Sequence, residues 1–159
     1  MAYALSTAGM NVLWAVEQTA GTRPSAAYTK IPGCKAIPEI FNSPNMLDAT
    51  PLSAEKNKYY IAGLNDSGGS IAITVNDYPA FRTSWEACVA AYGNLTGDKK
   101  MWFEIAYPDG STLDSFYFPG EPLPLGFGGA EVDSVLETNA NIAPQGDYLF
   151  ASASTNISG

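Results

Sequence analysis

The sequence predicts a mainly β fold: two packed antiparallel sheets, as a β-sandwich or flattened barrel, with one flanking α-helix and a long extended arm. Three observations predict it. Ser70–Asn76 alternates cleanly, with Ile71, Ile73 and Val75 on one face and Ser70, Ala72, Thr74 and Asn76 on the other, the pattern of a half-buried strand. Met101–Phe118 reads as a hairpin around Asp109-Gly110, a favoured two-residue turn. The 15 glycines and 11 prolines in 159 residues imply many turns and short strands.

Taken in order, Met10–Glu17 reads as a strand and Gly21–Pro24 as a loop. Tyr28–Ile40 has β-like residues, but Pro32 and Pro38 cannot donate to a ladder, so the segment belongs at a sheet edge or a bulge. Residues 41–69 carry Pro44, Pro51, several Asn and Gly, and the close pair Lys56 and Lys58, with only Tyr59–Ile61 strand-like. Irregular segments of this length in a compact domain are functional or disordered. The anchors Met46, Leu47, Leu52, Tyr59 and Tyr60 argue for an extended arm. Thr83–Tyr92 reads as the helix, Thr83 and Glu86 having capping-box spacing and Trp85, Cys88, Val89 and Tyr92 forming one apolar stripe.

In the Met101–Phe118 hairpin, a two-residue turn pairs Tyr107 with Thr112 and Glu104 with Ser115. Met101, Phe103, Ile105, Phe116 and Phe118 then share the core face, and Trp102, Glu104, Ser115 and Tyr117 the other. Asp114 falls on the apolar face, which implies a register error or a place at the sheet end. Phe118–Gly129 reads as a loop, Glu131–Ile142 as a long strand and Asp147–Ala151 as a short one. The domain spans 1–151, and 152–159 is a loose polar tail.

At 46% hydrophobic and 15% charged, the chain is not a disordered one. Its formal charge of −8 has an uneven source: residues 1–100 hold eight Lys/Arg and eight Asp/Glu, while 101–159 hold eight acids and no base, so 0 − 8 = −8. Such a stretch disfavours a simple nucleic-acid-binding module, and it also serves solubility. The chain has no His and two separated cysteines, Cys34 and Cys88, too few Cys/His ligands for a zinc site. Both are expected as reduced thiols. The N-terminus lacks the basic start of a signal peptide, and no run approaches the roughly 18 apolar residues of a membrane span, so a cytoplasmic origin is expected.

Little in the sequence carries chemistry, and no enzyme activity and no cofactor are expected. Glu104 with Asp114, or Glu131 with Asp133, are nominal glycosidase pairs only. Asp66-x-x-Gly-Gly and Phe127-Gly-Gly suit tight turns better than phosphate cradles. Trp102 and Tyr117, adjacent on one strand face, could stack on sugars, which keeps a glycan-binding module as the competing class.

Several strings in order are more specific: Gly21-Thr-Arg-Pro, Tyr28-Thr-Lys-Ile-Pro, Ile37-Pro-Glu-Ile, Ser43-Pro-Asn, Tyr60-Ile-Ala-Gly-Leu-Asn-Asp, Met101-Trp-Phe-Glu-Ile, Phe118-Pro-Gly-Glu-Pro and Glu131-Val-Asp-Ser-Val-Leu-Glu. Over nearly its whole length the chain resembles the tail tube (major tail) proteins of long-tailed, non-contractile bacteriophages. It departs from them in its short polar C-terminus, without an appended immunoglobulin-like domain. The resemblance implies hexameric rings stacked, with help from a long arm, around a tape-measure protein. The product is a virion tail assembled in the host cytoplasm, whose channel passes double-stranded DNA without binding it specifically. The inner tube of a contractile tail or secretion apparatus is the near alternative. On this reading the polar strand faces line the channel, through Ser70, Ala72, Thr74, Glu104, Ser115, Glu137, Asn139 and Asn141. The arm residues Met46, Leu47, Leu52, Lys56, Lys58, Tyr59 and Tyr60 contact other subunits of the rings, and tail-end proteins are further partners of the tube.

Overall fold

The computed structural model describes residues 6–41, 44–65, 69–108 and 113–154. In chain order the elements are β1 (Asn11–Val16), β2 (Thr29–Lys30), β3 (Cys34–Ala36), β4 (Pro44–Asp48), β5 (Tyr60–Asn65), β6 (Ile71–Asn76), α1 (Pro79–Gly93), β7 (Met101–Ala106), β8 (Ser115–Pro122), β9 (Glu137–Pro144) and β10 (Leu149–Ala151). One curled antiparallel sheet runs β2-β1-β7-β8-β9-β6-β3, with β10 added along β8, and β4 and β5 form a sheet of their own. The predicted sandwich or flattened barrel with one helix is the observed fold class.

Two corners turn the sheet back on itself. The first is β8, whose early residues pair with β7 and β10 (Phe116↔Ile105, Tyr117↔Leu149) and whose last residues pair with β9 (Gly120↔Pro144, Pro122↔Ile142). Gly120 makes this crossing possible, because a Cβ there would lie 2.6 Å from Ile142 Cγ2. The second corner is the proline-bearing segment 29–36. Its two ends are the two edge strands: the Ile31 N–H donates to the Val12 carbonyl at 2.8 Å, and the Gly33 carbonyl accepts from the Asn76 N–H at 2.9 Å. The expectation of an edge or bulged segment holds at both ends, with a register shift between Cys34 and Ala36.

The main core fills the space between the two halves of the sheet. Val12, Ile71, Ile73, Val75, Phe103, Phe118 and Ile142 point inward, and α1 closes the side with Phe81, Trp85 and Cys88. Each fully buried large side chain of this kind is worth about 1.5–3 kcal/mol. Phe103 and Phe118, paired across β7 and β8, stack with ring centroids 5.6 Å apart. Strand β7 is buried on both faces, because a second cluster of Leu13, Ala15, Tyr28, Trp102, Ala106 and Tyr117 lies on its back.

Several boundaries differ from the sequence reading. The helix begins at Pro79, four residues before Thr83, with Tyr78 at the N-cap and no side-chain cap bond, so Thr83 and Glu86 form no capping box. Proline at the first helical position is preset for the turn. The side chain of Asp77, just ahead, takes two bonds from Arg82 (Nε–Oδ1 2.6 Å, Nη2–Oδ2 2.6 Å), which hold the first turn instead. Strand β8 runs through Pro119 and Pro122, where a loop was expected. The long strand expected from Glu131 starts only at Glu137, after a turn with Asp133 at φ 58°. The hairpin register is two residues from the predicted one, Glu104 facing Tyr117 rather than Ser115. An even slip leaves every side chain on its predicted face. Asp114 lies just before β8, off the sheet end and exposed. The Asp109-Gly110 turn and residues 155–159 lie outside the described residues.

Candidate assembly surfaces

Within residues 41–69, read as an irregular arm, residues 44–65 form a β-hairpin. Its strands pair only with each other (Met46↔Ala62, Leu47↔Ile61, Asp48↔Tyr60), and the Ala49 N–H donates to the Tyr59 carbonyl at 2.8 Å. Strand alternation therefore puts Leu47, Tyr59 and Ile61 on one face and Met46, Tyr60 and Leu64 on the other. All six are more than half exposed, and Leu52 stands fully clear at the tip. Lys56 and Lys58 follow it in the connecting segment and are exposed, with Glu55 beside them. The predicted contact residues are thus brought together on one projection. A lone two-stranded hairpin with apolar residues on both faces is marginal in water and gains stability only by packing on something else.

The second surface is the outer face of β6 and β9. The register Ala72↔Asn141, Thr74↔Asn139 and Asn76↔Glu137 lays small and amide side chains in one plane, opposite the buried Ile73, Val75, Ala140 and Ile142. Ser70 leads into it, exposed, and Glu121 joins it opposite Ala143. Lys35 of β3 pairs with Glu137, and Thr74 Oγ1 donates to Asn139 Oδ1 at 3.4 Å. Of the eight predicted channel residues, Ser70, Ala72, Thr74, Glu137, Asn139 and Asn141 lie together here.

Glu104 and Ser115 do not. They sit on the back of the other half of the sheet, 0% and 1% exposed, and within the subunit neither can line a channel. The Glu104 carboxylate is the centre of a sealed polar cluster. Its Oε1 accepts from Ser154 Oγ at 2.7 Å, and its Oε2 from the Ser154 N–H at 3.2 Å and the Tyr117 hydroxyl at 3.0 Å. That hydroxyl also lies 2.7 Å from the Ser152 carbonyl. Arg23 covers the Tyr117 ring, its guanidinium carbon 4.2 Å from the centroid, and Tyr28 packs beside it. Burial and the negative charge of Glu104 both push the Tyr117 phenol up from its ordinary value. Burial likewise raises Tyr28, to about 12. Residues 152–154, expected to be loose, are therefore fastened. Trp102, with its indole N–H on Glu17 Oε2 at 2.8 Å, and Tyr117 are both buried, so the sugar-stacking platform considered from sequence is closed.

Cys34 and Cys88 are free thiols. Burial raises Cys34 to about 11 and Cys88 further, which makes poor nucleophiles of both. Among the described residues, no cluster of His, Cys, Asp and Glu suits a metal, and no helix is long and apolar enough to cross a membrane.

A solved chain shares this architecture. It belongs to the anti-feeding prophage (AFP) baseplate, determined by cryo-electron microscopy with six-fold symmetrisation. The TM-score is 0.61 at 10% sequence identity, over 94% of this chain and 98% of that one. At this identity the likeness shows the fold. No protein-family model matches the sequence, and no curated protein does.

Proposed function

We propose that this chain is a structural subunit of a phage-type tail tube, which assembles into stacked hexameric rings around a channel for double-stranded DNA. The observation that carries the reading is the projecting hairpin, whose two apolar faces are more than half exposed and pair with no other strand among the described residues. Its likeness in fold to a chain of a six-fold baseplate supports the same reading. Head-to-tail contacts of one surface with a different one close into rings when the rotation allows.

The β6–β9 face is the channel wall in this proposal. Duplex DNA carries about one charge per 1.7 Å of axis, so a lysine-rich wall would hold it. Here the wall is Ala, Thr and Asn, with its one lysine, Lys35, matched by Glu137. Glu121, which has no ion-pair partner among the described residues, adds a repulsion felt within a Debye length of roughly 8 Å. In this role the protein performs no catalysis and takes no cofactor. Its partners are further copies of itself, a tape-measure protein and the tail-end proteins, in a virion put together in the host cytoplasm. A second reading is the inner tube of a contractile tail or secretion apparatus, and the baseplate origin of the fold neighbour favours it.

Negative-stain electron microscopy of the purified chain tests the proposal. Rings or tubes with six-fold end views are expected. A monomer at every concentration, retained on a glycan column, would overturn it.

A further inference from the structure

The hairpin needs a receiving surface, and one candidate lies in the loop between β8 and β9. This loop is built rather than slack. The Trp85 indole N–H donates to the Leu123 carbonyl at 2.8 Å, and the Asp77 N–H to the Leu136 carbonyl at 2.9 Å. Thr138 Oγ1 donates to the Gly126 carbonyl at 3.5 Å, and Ser134 Oγ to the Glu131 carbonyl at 3.0 Å. Gly128 lies flat on the start of β9, where a Cβ would come within 2.3 Å of the Glu137 carbonyl. Yet this fixed loop turns Phe127, Val132 and Val135 outward, 77%, 91% and 65% exposed. Between Gly128 and Glu137 it encloses a shallow depression of ≈ 340 Å³ with Glu131 and Val135 on its lining. Ordered backbone presenting apolar side chains to water is the mark of an interface.

Charge identifies the occupant. The loop carries Glu131 and Asp133, exposed and without a basic neighbour in sequence, whereas the hairpin tip between Ala49 and Tyr59 carries Lys56 and Lys58 against a single acid, Glu55, with the fully exposed Leu52 four residues before Lys56. Apolar knob and basic flank on one surface meet apolar rim and acidic flank on the other. We propose that the 127–136 loop is the receptor for the hairpin of a second copy of this chain, with Leu52 seated against Val132 and Val135 and with Lys56 and Lys58 facing Glu131 and Asp133. This rests on the tube reading and names the two surfaces that mate within it.

Cysteine pairing tests the contact directly, since both native thiols are poorly reactive. The double variant Leu52→Cys, Val132→Cys, oxidised after assembly, is expected to give a covalent ladder of multimers on a non-reducing gel, and each single variant none. Charge exchange is the second arm. Lys56→Glu with Lys58→Glu should abolish tubes, and adding Glu131→Lys with Asp133→Lys should restore them. Wild-type tubes whose double-cysteine variant gives no ladder, or whose charge swap restores nothing, overturn the docking alone. A wild-type chain that never assembles overturns the tube reading, and the docking with it.

Discussion

Glu104 and Tyr117 face each other across β7 and β8, 3.0 Å apart from carboxylate to hydroxyl, and neither is reached by solvent. Through this pair and Ser154, the acidic group that the sequence places on a polar strand face becomes the fastening point for the chain's C-terminal segment. Removing it leaves the Ser154 N–H and hydroxyl buried without their acceptor. Glu104→Ala is expected to cost about 2–4 kcal/mol, which lowers Tm by roughly 4–16 °C for a domain of this size. Limited proteolysis should then cut near residue 152. An unchanged melting curve with a protected C-terminus would count against the fastening role.

The phenols give the stability a defined alkaline limit. Tyr28 and Tyr117 are raised above their ordinary value by burial, so the folded state holds their protons more tightly than the unfolded state does. Their contribution is complete below pH 10 and is lost as pH climbs through the folded value, about 12 for Tyr28. Denaturant midpoints should be flat from neutral pH to about 10 and fall beyond it. Tyr28→Phe, which also removes the bond to the Pro24 carbonyl at 2.8 Å, should flatten that alkaline fall. An equally steep fall in the variant assigns it elsewhere.

At the acid end the Asp77–Arg82 pair acts in the opposite sense. The two bonds from Arg82 hold the Asp77 carboxyl below the usual carboxylate range. The stability it contributes is present above the ordinary value and is lost as pH falls through the depressed one. Asp77→Asn should lower stability at neutral pH and shrink the wild type's loss on acidification, with the first turn of α1 losing amide protection. Wild-type exchange rates at the Arg82 and Thr83 amides would refute this.

Gly120 permits the corner where β8 changes partners. Gly120→Ala is expected to destabilise by about 1–3 kcal/mol through overpacking on Ile142. The added Ile142→Ala should cost less than the sum of the single changes, because the two sites couple. Strict additivity in chemical denaturation would remove the steric explanation.

On the proposed channel wall, Asn139→Lys with Asn141→Lys leaves the core untouched, since Asn139 is exposed and Asn141 half-exposed. Tubes should form normally while DNA passage slows. Wild-type ejection kinetics in such tails would move the channel to another face.

The legibility of this chain followed the range of the interactions involved. Alternation in Ser70–Asn76 identified the buried and polar faces of β6 because that pattern depends only on neighbours in sequence. The faces of β7 and β8 were equally readable, and they survived a pairing error because the slip was even. What escaped depended on distant partners. Pro119 and Pro122 read as loop, yet Pro119 sits opposite Trp102 and its carbonyl accepts from the Gln145 N–H at 2.9 Å. Glu104 read as a solvated wall residue because its three donors come from Tyr117 and Ser154. A hint was present: its strand is hydrophobic on both sides, with Trp102 and Ala106 sharing its face. Glu131–Leu136 had strand-like composition but pairs with no strand among the described residues. The arm's hairpin was masked by its prolines and asparagines.

The segment from Thr29 to Ala36 has a mechanical consequence. It belongs to both halves of the sheet, as β8 does on the opposite side, so the halves are joined by peptide bonds at two corners as well as by packing. A pull on one half would reach the other through those two covalent hinges. Under load such a subunit deforms like a hoop, changing its cross-section, rather than parting like two plates slid over one another.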